Sequence, residues 1–252
     1  MGYTAVKKIT RSLGIYRQAV WFQRHFLNRT ELDQEKADLA FFSRFVQPDD
    51  LVFDVGANYG NKSRVFLKLG ARVVAFEPLA DCLEEWEARH GSDARLTTVQ
   101  AAVASAPGMR RFFVRPNRVF SGFIEHWAES VESEILVPTV TLDQMIAKYG
   151  EPAYIKIDVE GYELEVLQGL TRPIRWISFE YHLTDVEVGK VINCVRYLSG
   201  LGPITINLTP AEDDALAHPD WLTIDQFLDR FPRERLAVPG GPTFGDIFVA
   251  MK

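Results

Sequence analysis

Short unbroken apolar runs alternate along the chain with segments whose apolar residues recur every three to four positions. The runs LVFDV (51–55), ARVVAFEP (71–78), AYIKIDVEG (153–161) and RWISFEYH (175–182) read as strands. Pro78 and Gly161 end two of them. Residues 60–69, 79–91, 163–170 and 185–199 read as helices, with Gly70 and Gly91 at stop positions. Further strands are predicted in 96–105, in 106–114 after a turn, at 203–208 and at 244–251, with helices over 141–150 and 222–231. Near-continuous apolar character in the central strands means burial on both faces. Strands alternating with helices predict an α/β domain with a mainly parallel sheet, spanning residues 47–252.

Two stretches fall outside this rhythm. Residues 1–46 predict a helical extension packed on the main domain. Its second part, 30–46, opens on Thr30 with Asp33 three residues later, a near-match to a capping box, and carries Leu39, Phe42, Phe45 and Val46 on one face. Its first part, 1–30, holds Lys7, Lys8, Arg11, Arg17, Arg24 and Arg29 and no acid, together with Trp21, Phe22 and Phe26. Bases interleaved with aromatics also suit a peripheral membrane or polyanion contact, the alternative for that part. The second irregular stretch, 115–138, scatters Phe120, Phe123, His126 and Trp127 among polar residues, as an insertion serving as a lid would.

Composition narrows the class. The formal net charge of −6 argues against a dedicated nucleic-acid binder, although the basic 1–30 segment keeps that reading open. No apolar run approaches the length of a membrane span, and the N-terminus lacks a signal-peptide pattern. Two cysteines, Cys82 and Cys194, form no disulfide framework. The expectation is a cytoplasmic protein. Oligomeric state is left open.

The chemistry starts at FDVGANYG, 53–60. In an open α/β sheet, ligands bind beyond the carboxyl ends of the strands. Asp54 and the turn through Gly56, Asn58 and Gly60 would lie there. No P-loop lysine follows, and the glycine spacing is wrong for a dinucleotide fingerprint. A carboxylate at this end suits a cationic or hydroxylated ligand better than a pyrophosphate. Glu77, about twenty residues on at the end of the next strand, is placed to chelate two ribose hydroxyls. A nucleoside without phosphates satisfies both features. S-adenosylmethionine is the candidate, with its adenine against small residues such as Ala101 and Ala102.

FDVGANYG, AFEP and IKIDVEGYELEVLQG together resemble the FkbM-type methyltransferase family, over about residues 36–182, and the ending FGDIFVA is similar too. The resemblance implies a class I, Rossmann-like three-layer sandwich with a seven-stranded, mostly parallel sheet and an antiparallel last strand. It implies S-adenosylmethionine contacts at Asp54, Gly56, Asn58, Gly60 and Glu77. It also implies methylation of a hydroxyl, with a glycan or a small-molecule natural product as acceptor.

A hydroxyl acceptor must lose its proton, and two clusters offer bases. IKIDVEG supplies Asp158 and Glu160, with Lys156 inside the strand; FEYH supplies Glu180 and His182. His182 and Asp158 stand nearly equal as the catalytic base, with Glu160 next. No metal site is assigned, because the spacing matches no recognised signature. A metal-bound acceptor is the alternative role for Asp158, Glu160, Glu180 and His182, whose donors suit Mg²⁺ or Mn²⁺. Two other readings compete for the whole chain: a nicotinamide-dependent oxidoreductase, which lacks its glycine fingerprint, and a non-catalytic binding protein of the same fold.

Overall fold

A computed structural model describes residues 29–127, 129–211, 215–236 and 243–251. The basic segment 1–28, and with it the expected membrane or polyanion contact, lies outside the described residues. Among the described residues, no helix is long and apolar enough to cross a membrane.

In chain order the elements are α1 (Arg29–Phe42), β1 (Leu51–Val55), α2 (Asn61–Lys68), β2 (Arg72–Phe76), α3 (Ala80–His90), β3 (Leu96–Val99), β4 (Ala102–Val103), β5 (Gly108–Val114), β6 (Ser133–Val140), α4 (Leu142–Tyr149), β7 (Tyr154–Ile157), α5 (Glu163–Leu167), β8 (Trp176–His182), α6 (Asp185–Leu201), β9 (Ile204–Pro210), α7 (Ile224–Leu236) and β10 (Phe244–Met251). Seven strands form one sheet in the order β3-β2-β1-β7-β8-β10-β9. β1 pairs in parallel with β2 and β7, and β10 runs antiparallel to both of its neighbours. The expected mostly parallel sheet with an antiparallel last strand is therefore the observed one.

The pleat explains why the central strands read as unbroken apolar runs. Successive side chains point to opposite faces. Leu51, Phe53 and Val55 join Ile155, Ile157 and Phe179 in a core closed by α4, α5, α6 and α7. Val52, Val73 and Tyr154 face the other way, onto Phe41 and Phe42 of α1, Phe66 of α2 and Trp86 of α3. Both faces are covered, so β1 and β7 are buried at every position. The helix α1 is fastened by packing and by charge. Phe41, Phe42 and Phe45 are buried, each contributing about 2 kcal/mol of apolar transfer before ordering costs. Asp38 pairs with Lys62 at 2.7 Å, and Glu35 takes Arg64 at 2.8 Å and also Lys68.

The region predicted as one strand, 96–105, divides. β3 belongs to the main sheet, and β4 pairs with β6 in a second, three-stranded sheet of order β4-β6-β5. The irregular stretch 115–138 divides as well. Its end lies in β6, which forms an antiparallel hairpin with β5, and its first part loops back over the carboxyl ends of the main strands. Arg115 organises that loop. It is fully buried and donates from its guanidinium to the carbonyls of Phe113, Ile124, Glu125 and Glu129, while its amide donates to Ser121 Oγ.

Candidate active site

Three contiguous depressions lie at the carboxyl ends of β1, β2, β7 and β8. The first, open to solvent, spans about 490 Å³ and is lined by Gly56, Asn58, Glu77, Ala102, Phe112 and Ser121, among others. The second, about 850 Å³, is walled by Asp38, Asp54, Asn58, Lys62, Lys156 and Glu160. The third, about 540 Å³, runs between α1 and β10, with Phe41, Phe42, Glu180, Asp246 and Phe248 on its walls. Asp158 is the residue common to all three.

The first depression is built by the turns after β1 and β2. Gly56 has φ +78°, and a Cβ there would lie 1.8 Å from the Asp158 carbonyl oxygen. The turns after β1 and β7 thus meet backbone to backbone, which only glycine permits. Asn58 is also left-handed, at φ 47°, and its amide donates to Glu77 Oε2 at 3.0 Å. The Leu79 amide donates to Glu77 Oε1 at 2.8 Å. These two bonds fix the Glu77 carboxylate at the rim of the cleft. Burial pushes its pKa up to about 7, against the pull of the two amides. The Asn58 Oδ1 is buried without a hydrogen-bond partner. An orphaned acceptor on a concave wall is a ready contact for a donor group of a ligand.

The structure separates the remaining residues expected on this side. Ala102 lines the cleft, whereas Ala101 is buried beside it without reaching the wall. Gly60 caps α2 with φ +75°, and a Cβ there would fall 2.3 Å from the Trp86 ring. Its glycine is required by that packing, and Gly60 lines none of the three depressions. Asp54 is buried beneath the second depression and accepts from the Ser63 hydroxyl. Burial raises its pKa, opposed by Lys156 and by the Ser63 bond.

The other side is dense in charge. Lys156 is buried and pairs with Asp158 at 2.7 Å. Burial alone would favour loss of its proton, but Asp158, Asp54 and Asp246 outweigh it and hold the ammonium charged, its pKa above the ordinary lysine value. Glu160 is left-handed at φ 56°, a backbone conformation costing a non-glycine residue about 1–2 kcal/mol. Trp127 holds it there, donating from Nε1 to Glu160 Oε2 at 2.6 Å. Gly161 leaves room for that indole, because a Cβ at Gly161 would lie 2.8 Å from it. Burial, with Glu180 and Asp158 nearby, pushes the Glu160 pKa up to about 8. Burial and Asp158 likewise raise that of Glu180.

Asp158, Glu160, Glu180 and His182, read from two separate motifs, are thus neighbours on adjacent strand ends. His182 stands 3.1 Å from Glu180 Oε2 through its Nε2, with its ring edge-on to Trp127 at 5.1 Å between centroids. It lines none of the three depressions. Several wall residues carried no signal in the sequence. Asp38 and Lys62 stand across an α1–α2 ion pair whose partners are 24 residues apart. Arg118, on the first wall, is fixed by Asp81 at 2.9 Å and Glu132 at 2.6 Å.

Residues 54–232 match the Methyltransferase FkbM domain. Hexuronic acid methyltransferase AglP of Haloferax volcanii is 27% identical over 171 residues, 67% of this chain and 69% of that protein. The 31-O-demethyl-FK506 methyltransferase FkbM of Streptomyces tacrolimicus is 31% identical over 191 residues, 60% of this chain and 72% of that protein. Among solved structures, a ribosomal protein L11 methylase from Lactobacillus delbrueckii subsp. bulgaricus aligns with a TM-score of 0.46 at 11% identity, over 87% of this chain and 79% of that one. The family match decides for methyl transfer over the nicotinamide and non-catalytic readings. With residues 54–232 matched to the family, the chain belongs to the FkbM family of S-adenosylmethionine-dependent methyltransferases.

Proposed function

We propose that the protein methylates a hydroxyl of a glycan or of a hydroxylated natural product, with Asp158 accepting the hydroxyl proton. The observation that carries this reading is the position of Asp158, common to the donor cleft and to both depressions beside it. Its side chain is 38% exposed, so an entering hydroxyl can reach it. The names of the two relatives, one acting on a hexuronic acid and one on a demethylated oxygen of FK506, support an oxygen-rich acceptor.

The donor cleft has the chemistry to hold S-adenosylmethionine, which the family implies. Glu77 offers carboxylate lone pairs to ribose hydroxyls, and Asn58 Oδ1 offers an unused acceptor. Gly56 removes the side chain that would fill the turn. Ala102, Val103 and Phe112 form an apolar wall for a base. Bound there, S-adenosylmethionine supplies an electrophilic methyl group on a sulfonium.

The chain's own residues set the rest. Lys156 holds the Asp158 carboxylate at the junction through a 2.7 Å ion pair. Asp54 and Ser63 support that lysine from below, at a distance from the acceptor. As the acceptor oxygen would gain the methyl carbon and the carbon–sulfur bond would break to leave a neutral thioether, Asp158 is placed to take the hydroxyl proton. The third depression, with Phe41, Phe42 and Phe248 beside polar Glu180 and Asp246, suits a molecule with apolar faces and hydroxyl edges, as sugars are.

Calorimetry with S-adenosylmethionine, followed by incorporation of labelled methyl into a panel of uronic-acid glycans and hydroxylated macrocycles, tests the proposal. Labelled product with the methyl on oxygen is expected. Methyl transfer only to nitrogen or carbon acceptors would overturn it.

A further inference from the structure

We infer that Glu160, Glu180 and His182 form a binding site for one divalent cation of the Mn²⁺ or Mg²⁺ type, beside the acceptor crevice. Each of the three offers a ligand atom, and these atoms all lie within 4.8 Å of one another. Two ligands at right angles on such an ion are about 3 Å apart and two opposite ligands about 4.2 Å, from metal–oxygen distances near 2.1 Å. Closing the gap requires about 1–2 Å of side-chain movement, which rotation about the glutamate side-chain torsions supplies.

A bare acidic patch would not carry this inference; the donor set and its alignment do. Glu180 and His182 alternate with buried Tyr181 on β8, so both project from the same face of the strand. Glu180 Oε2 and His182 Nε2 approach to 3.1 Å, a distance at which a carboxylate and an imidazole normally share a hydrogen bond. Yet both atoms are buried and neither has a hydrogen-bond partner. They converge without being aligned on each other. A third atom lying off their mutual axis would satisfy both at once.

Glu160 completes the triangle from the turn after β7. Its left-handed backbone keeps it at this point, and the Trp127 indole binds one of its oxygens at 2.6 Å, leaving the other free to ligate. Outer contacts of this kind orient metal ligands. The same Trp127 meets the His182 ring edge-on, so one side chain braces two of the three ligands. Two carboxylates and one imidazole leave half of an octahedral shell open, and hard oxygen donors fill such positions well. Glu160 and Glu180 each also line a depression that contains Asp158. On the reading of the acceptor as a hydroxyl compound, its oxygens enter that open half, and Asp158, which is outside the ligand set, remains free to take the proton.

The test uses the full chain stripped with EDTA and titrated with Mn²⁺ alone, followed by electron paramagnetic resonance and by electron spin-echo modulation. One Mn²⁺ per chain is expected, with modulation from a single imidazole nitrogen. His182→Ala should abolish that modulation, and Glu180→Gln should weaken binding at least tenfold. Absence of binding at millimolar Mn²⁺, binding without nitrogen modulation, or wild-type affinity in both variants would overturn the site. The spectra of the unmutated chain decide even where a variant fails to fold. The S-adenosylmethionine calorimetry is repeated on the stripped protein. Cofactor binding and O-methylation without Mn²⁺ binding would overturn the cation site and leave the functional reading intact. A nitrogen-ligated Mn²⁺ in a protein that methylates no hydroxyl would support the site and sink the functional reading.

Discussion

Replacing Glu77 by Gln tests the donor cleft and its electrostatics together. The carboxylate accepts the Asn58 and Leu79 amides at 3.0 and 2.8 Å. A glutamine keeps one carbonyl oxygen and turns an NH₂ toward the other amide, so one charge-assisted bond is lost and a donor faces a donor. At pH 6 the expected cost is roughly 1–3 kcal/mol of stability, so a chain of 252 residues melts about 2–12 °C lower, and the gap should narrow as pH rises through about 7 and the wild type must ionise a buried acid. Cofactor affinity should fall about 10- to 100-fold at pH 8, the range for losing an ionised acceptor to a hydroxyl donor. The sharper consequence is in pH. With a pKa of about 7, Glu77 is roughly 90% ionised at pH 8 and roughly 9% at pH 6. Hydroxyl donors favour the ionised form, so the wild-type Kd should rise about tenfold from pH 8 to pH 6 relative to E77Q. Referring the wild type to E77Q removes titration of the cofactor and of other groups. Stability follows the opposite course. A buried acid with a raised folded pKa contributes stability below its unfolded value, and that contribution is lost as pH rises through about 7. Calorimetric Kd values from pH 6 to 8 check the pair, and a wild-type to E77Q ratio independent of pH would refute the reasoning.

Asp158→Asn should lower single-turnover methyl transfer about 10²- to 10⁴-fold while leaving the S-adenosylmethionine Kd within about threefold, and a loss confined to cofactor binding would reject Asp158 as proton acceptor. Gly56→Ala sets a Cβ 1.8 Å from the Asp158 carbonyl at φ +78°, so a loss of at least about 2 kcal/mol and a Tm lower by about 4 °C or more is expected by calorimetry. Arg115→Met strips donors from the carbonyls of Phe113, Ile124, Glu125 and Glu129. It should cost about 2–5 kcal/mol in denaturant unfolding and raise substrate KM more than it lowers kcat; an unaltered midpoint would show that the loop does not depend on it.

The main sheet was legible because its strands are buried on both faces and the glycine turns at their carboxyl ends follow them directly. Glu77 could be found by spacing from Gly56, since one βαβ unit separates them. The second sheet was not legible. SEILVPTV carries a mid-strand proline and an exposed Leu136, and it reads as loop. Pro138 is tolerated because β4 pairs with β6 only from Thr139 onward, so β6 is an edge at the proline. Gly60 shows a subtler limit. It was expected in the ligand turn, and its glycine is also required by Trp86, 26 residues away, where a Cβ would meet the indole. Asp38 was out of reach altogether: nothing in a polar helical stretch marks which acid folding will lay beside Lys62 and the crevice.

The third depression is walled from both sides of the match: Lys62, Lys156, Asp158 and Glu180 lie within residues 54–232, whereas Phe41 and Phe42 of α1 and Asp246 and Phe248 of β10 lie outside them. Substitutions at Phe41 or Phe248 would therefore reshape the third depression without touching the walls of the first, whose lining residues all lie between positions 55 and 160.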